Sequence, residues 1–126
     1  LAALRGKTDL AIGYSGDWGG AEALLSGADA WYSVVGGLLP RTALALTKAA
    51  MAGDRNEARR LDGLLEPLWK MFKEFGSIRV VYTLVEHVLS AQSELPRPLL
   101  PLAPTERQRV LDVTEPLTAL EHQSLL

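Results

Sequence analysis

Two short apolar runs, Leu10-Ala11-Ile12-Gly13-Tyr14 and Ala30-Trp31-Tyr32-Ser33-Val34-Val35, set the tightest limit on what this chain can fold into. Each is nearly continuous in apolar residues and bounded by turn formers, the pattern of a strand buried on both faces of a parallel sheet. Between them lie the glycine-rich stretch Ser15-Gly16-Asp17-Trp18-Gly19-Gly20 and a short predicted helix over Ala21 to Leu25, broken at Gly27-Ala28-Asp29. The order is βαβ, which implies parallel strands and a right-handed crossover. Two such strands make no stable sheet alone, so the pattern predicts further structure upstream. The chain also opens on Leu1 inside an apolar, helix-like stretch that Gly6 closes as a left-handed cap, as though cut from something longer.

Beyond Pro40 every segment reads as helix. Pro40 suits a first helical position and strong helix formers run from Arg41 to Ala52. Asp54-Arg55-Asn56-Glu57 is a capping-box-like start, followed by Leu61, Leu65, Leu68 and Phe72 at helical spacing. Pro67 is expected to bend that helix or restart it. Gly76 ends it, and Ile78, Val81, Val85 and Val88 predict the buried stripe of the next. Leu95 to Pro104 is a proline-punctuated linker, and a last helix from near Thr105 carries Val110, Val113, Leu117 and Leu120 on one face, with Pro116 expected to kink or end it.

Charge and composition exclude several functions. The 13 basic and 15 acidic residues are dispersed, so no basic stripe exists to neutralise phosphates, and nucleic acid is not an expected partner. No apolar run reaches the roughly 18 to 20 residues of a membrane helix, which argues against a membrane partner. The absence of cysteine excludes disulfides and thiolate catalysis and fits a reducing cytoplasm. His87 and His122 are far apart, so no metal cluster is visible and no cofactor is called for.

Two stretches resemble consecutive strand-loop units of the dihydrodipicolinate synthase and N-acetylneuraminate lyase family. Tyr14-Ser15-Gly16-Asp17 is similar to the Ser-Gly-x-Asp turn after that family's strand seven, and Gly27 to Pro40, containing Gly27-Ala28-Asp29-Ala30-Trp31-Tyr32-Ser33-Val34, to its strand-eight signature. Ala49-Ala50-Met51-Ala52-Gly53-Asp54 through Arg59 resembles the link into the family's C-terminal helices, and Leu99-Leu100-Pro101-Leu102 its proline linker. The resemblance implies an α/β fold: the C-terminal part of a (β/α)8 TIM barrel, with residues 1–40 holding the last two strands and 41–126 the final barrel helix and a C-terminal helical subdomain. A complete barrel needs about 250 residues.

The same resemblance implies a pyruvate-dependent class I lyase or aldolase, acting on a 2-oxo acid and an aldehyde as a homo-oligomer, dimer or tetramer. In that family a lysine at the end of strand six forms a Schiff base with the 2-oxo acid and a strand-five tyrosine relays protons. Both would lie upstream of Leu1. The four lysines present, Lys7, Lys48, Lys70 and Lys73, read as solvated loop or helix charges, so no catalytic residue is expected in this chain and it should be inactive alone.

Substrate-binding candidates are Ser15, Gly16, Asp17, Tyr32 and Ser33. Asp17 either hydrogen-bonds hydroxyls of the substrate's distal part or caps the helix that follows, and the two roles are compatible. Tyr32 stands where the family usually has isoleucine; its ring either narrows the pocket or is a plain core aromatic. Ser33 either donates to substrate or is satisfied locally. Trp18 either stacks on substrate or packs at the surface. Phe75-Gly76-Ser77-Ile78-Arg79 replaces the family's Pro-Asn-Pro-Ile-Pro-Val-Lys, which weakens the specific synthase reading and leaves a sugar-acid aldolase or dehydratase open. Arg79 is expected to bind a carboxylate or make a surface salt bridge. A rival reading is a non-catalytic helical assembly module, since three apolar-striped helices would serve it equally well.

Overall fold

In the computed structural model, which describes residues 1–123, a short helix α1 (Ala2–Arg5) leads into strand β1 (Gly13–Ser15). A 3-10 turn (Asp17–Gly19), helix α2 (Gly20–Leu25) and strand β2 (Ala30–Tyr32) follow. The two strands pair in parallel, in the register Gly13 to Ala30, Tyr14 to Trp31 and Ser15 to Tyr32. The expected βαβ order is therefore present, and a second 3-10 turn (Val35–Gly37) and four α-helices complete the described residues: α3 (Pro40–Met51), α4 (Arg55–Phe75), α5 (Ser77–Leu89) and α6 (Pro104–His122). The last three residues of the expected segment 41–126 lie outside the described residues.

The strands are three residues each, shorter than the apolar runs that predicted them. They are also covered on one side only. Tyr14 and Trp31 are half-buried against the core, whereas Gly13, Ser15 and Tyr32 are exposed, as the alternation of a pleated strand requires when one face lacks a neighbour. The entrance to the sheet is held by Asp29, which accepts from the Ile12 amide at 2.7 Å and pairs with Arg5 at 2.9 Å. Gly6 departs from the expected left-handed cap: its φ is −83°, an ordinary value, and its amide simply donates to Leu4.

Helix α4 is the spine of the molecule. Asp54 accepts from the Glu57 amide at 3.0 Å, the predicted start, and the helix then runs 21 residues through Pro67 without restarting. Leu61, Leu65, Leu68, Trp69 and Phe72 are all at most 2% exposed, packed among α3, α5 and α6. The Trp69 indole N–H donates to Asp62 at 2.9 Å, which satisfies the one polar group this core aromatic carries.

Gly76 ends α4 at φ 85°, a conformation that favours glycine, and α5 begins at the next residue. The buried stripe of α5 is rotated from the expected one. Val80 and Leu84 are wholly buried, Val81, Val85 and Val88 flank them, and Ile78 is 49% exposed, because α5 packs between α4 and α6 rather than against one partner. In α6, Val110 and Leu117 are buried as expected, but Thr114 and Glu121 share their face while Val113 and Leu120 sit at its margin. Pro116 is accommodated within α6 and does not end it.

Among the described residues Arg79 makes no salt bridge. Its guanidinium donates to the carbonyls of Leu100 and Pro101 at 2.9 and 3.3 Å, clamping the proline linker across α5. A proline-rich segment has carbonyls to spare and few amides to pair them with, so a planar multi-donor side chain suits it.

Candidate functional site

The C-terminal ends of β1 and β2 lie side by side, with Ser15 and Tyr32 in register. After β1 the chain turns through Gly16 at φ 116°, and this places Asp17 beneath the surface at 3% exposure. The Asp17 carboxylate accepts from the Val34 amide at 3.1 Å and from the Val35 amide at 3.0 Å, so one buried side chain ties the turn after β1 to the turn after β2. Burial pushes its carboxyl above the ordinary carboxylate value, and the amides of Val35 and Val34 with the nearby Ser33 hydroxyl pull it back. The Trp31 indole also lies close enough to favour the charged form, although its buried N–H makes no hydrogen bond among the described residues.

The helix-capping alternative for Asp17 is not what the structure contains. Neither the 3-10 turn nor α2 has a side-chain cap, because the carboxylate is turned toward Val34 and Val35 instead.

Around this tie lies a cavity of about 260 Å3, lined by Ser15, Gly16, Asp17, Trp18, Val34, Phe72 and Ser77. Three of the candidate residues, Ser15, Gly16 and Asp17, are thereby brought together. Tyr32 and Ser33 are not among the lining residues. Tyr32 is 67% exposed and its ring lies over Gly13, where a Cβ would meet it at 2.4 Å, so it is no core aromatic among the described residues. The Ser33 hydroxyl accepts from the Gly36 amide at 2.9 Å, the local satisfaction that its sequence position allowed.

Trp18 is 45% exposed at the edge of the cavity, with the Lys73 ammonium 5.9 Å from its ring centroid. Phe72 and Ser77 come from α4 and α5 and were not among the candidates. Ser77 was noted only as part of a departure from a family motif; the local signal for its position is Gly76, whose positive φ ends α4 immediately before it. Lys7 precedes β1, Lys48 is on α3 and Lys70 and Lys73 are on α4, so no lysine stands at the C-terminal end of either strand. His87 and His122 are exposed. Among the described residues no three His, Cys, Asp or Glu gather as metal ligands, and no helix is long and apolar enough to cross a membrane.

No family model matches this chain. The 4-hydroxy-tetrahydrodipicolinate synthase of Marinobacter nauticus is 41% identical over 86 residues, which are 67% of this chain and 28% of that protein. The crystal structure of dihydrodipicolinate synthase from Agrobacterium tumefaciens superimposes with a TM-score of 0.88 at 57% identity, covering 93% of this chain and 40% of that one. A Sulfolobus 2-keto-3-deoxygluconate aldolase shares the fold at a TM-score of 0.78 and 22% identity, over 94% of this chain and 41% of its own. The chain thus spans less than half the length of each of these relatives.

Proposed function

Because the chain belongs to the dihydrodipicolinate synthase family, we propose that it is the C-terminal part of a (β/α)8 barrel lyase in which β1 and β2 are the last two strands. The parent protein is a class I aldolase. A lysine supplied from outside this sequence attacks the ketone carbon of pyruvate or a related 2-oxo acid, and water leaves to form an iminium. Loss of a C3 proton gives an enamine, whose carbon adds to the aldehyde carbonyl, and hydrolysis of the new iminium returns the lysine. Cleavage is the same sequence reversed. A cytoplasmic homo-oligomer belongs to the same reading.

The observation that carries this reading is the placement of the cavity. It opens where both parallel strands end, and in barrels of parallel strands that C-terminal face is where substrates bind. In the proposed site Ser15 and Gly16 border the substrate, Asp17 fixes the two turns behind them, and Tyr32 and Ser33 lie next to the cavity at the end of β2. The isolated chain supplies this wall and not the amine, so it is inactive by itself.

The test is borohydride reduction in the presence of pyruvate, followed by intact mass. An adduct on the full-length protein and none on this chain supports the reading. An adduct on a lysine of this chain overturns the assignment of the amine, and no adduct on either overturns the class I mechanism and favours the helical-module reading.

A further inference from the structure

We infer that the junction between α4 and α5 forms one wall of the proposed substrate cavity, and that Ser77 there is a specificity residue that selects for a hydroxyl on the aldehyde partner. The inference rests on the lyase reading above and adds to it a residue from the helical subdomain.

Ser15 ends β1 and Trp18 lies in the turn after it, while Ser77 is some sixty positions later in sequence, yet all three line the same 260 Å3 space. Gly76 at φ 85° ends α4 and α5 starts at the next residue, so that Ser77, the first residue of α5, lines the cavity at the strand ends. Phe72, one turn earlier on α4, is 2% exposed and supplies the apolar floor from the same side.

The polar groups of the cavity divide into those already engaged and those still open. The Asp17 carboxylate is occupied by the amides of Val34 and Val35. The hydroxyls of Ser15 and Ser77 carry no partner among the described residues, and both can donate as well as accept. A half-exposed indole, Trp18, lines the same space and offers a flat apolar face. Two open hydroxyls beside an aromatic face match a ligand segment that alternates C–H surface with hydroxyl groups.

Arms of the experiment use the full-length protein with pyruvate and two three-carbon aldehydes, glyceraldehyde and propionaldehyde, which differ in their hydroxyls. Ser77→Ala is expected to lower kcat/KM for glyceraldehyde about ten-fold relative to propionaldehyde, chiefly through KM, the loss of roughly one hydrogen bond. Ser77→Thr, which keeps the hydroxyl, is expected to restore most of that ratio. A ratio unchanged in Ser77→Ala, or one lost equally in Ser77→Thr, overturns the inference while borohydride trapping with pyruvate still succeeds. Failure of trapping in the unsubstituted protein removes the lyase reading and this inference with it.

Discussion

The Glu121 carboxylate accepts both the amide and the hydroxyl of Thr42, at 3.0 and 2.7 Å, and with its other oxygen takes the Arg41 amide. The last described helix thereby closes the N terminus of α3, where Leu39 and Pro40 offer no side-chain acceptor. At 7% exposure this is a buried cap supplied from 79 residues away.

Removing it should therefore cost more than a surface cap does. Glu121→Ala is expected to destabilise the chain by about 2–3 kcal/mol, combining a lost cap with buried amides left unpaired. Glu121→Gln, which keeps one acceptor, should cost roughly half of that. Urea unfolding midpoints at constant slope measure both. Equal midpoints for Glu121→Ala and the unsubstituted chain would mean water replaces the carboxylate without loss.

Asp17 gives a pH dependence of defined sign. An aspartate in the unfolded chain ionises near pH 3.9, roughly, whereas burial raises the folded value above that. Across the interval the native protein retains a proton that the unfolded chain has lost. The contribution of this group is thus fully present below about pH 4 and falls as pH rises through the folded value. The stability difference between the unsubstituted chain and Asp17→Asn should decline over that window. The difference is the quantity to follow, because Asp29, Glu22 and Glu74, whose carboxyls are lowered by hydrogen bonds from Arg5, Arg59 and Arg109, slope the other way. A difference that grows with pH would show that the Val34 and Val35 amides outweigh burial.

Arg79→Ala should act on the linker more than on the core. The two carbonyls it holds are exposed, so global stability is expected to fall by only about 1 kcal/mol, while proteolytic cleavage between residues 95 and 103 accelerates several-fold. Arg79→Lys presents a point charge in place of the fork and should rescue cleavage resistance only in part. Unchanged cleavage in Arg79→Ala would show that Leu102, 8% exposed, anchors the linker without help.

The free chain should self-associate. Tyr32, on the open side of a two-stranded sheet, is 67% exposed, and Leu10, just before β1, is 75% exposed. Sedimentation is expected to show mass rising with concentration, and a Leu10→Lys, Tyr32→Lys double variant to lower it. A monomer at every concentration would speak against an uncovered sheet face.

What was legible in the sequence had its cause within a few residues. Pro40 at a helix start, Asp54 with Glu57, the glycine breaks and the leucine spacing of α4 each act locally, and each predicted element stands within a few residues of its place. The βαβ order and the turn carrying Ser15, Gly16 and Asp17 were readable for the same reason. The rotated stripe of α5, the Glu121 cap, the Arg79 clamp and the arrival of Ser77 beside Ser15 were not. Each depends on which distant backbone groups lie unpaired once the helices have packed. Periodicity states that a helix has an apolar face, but α5 is enclosed by two neighbours, and the bisector between them decides which residues are covered. The chain's own chemistry therefore determined the elements and their order, while tertiary packing decided where a buried carboxylate, a free guanidinium and two open hydroxyls would find what they face.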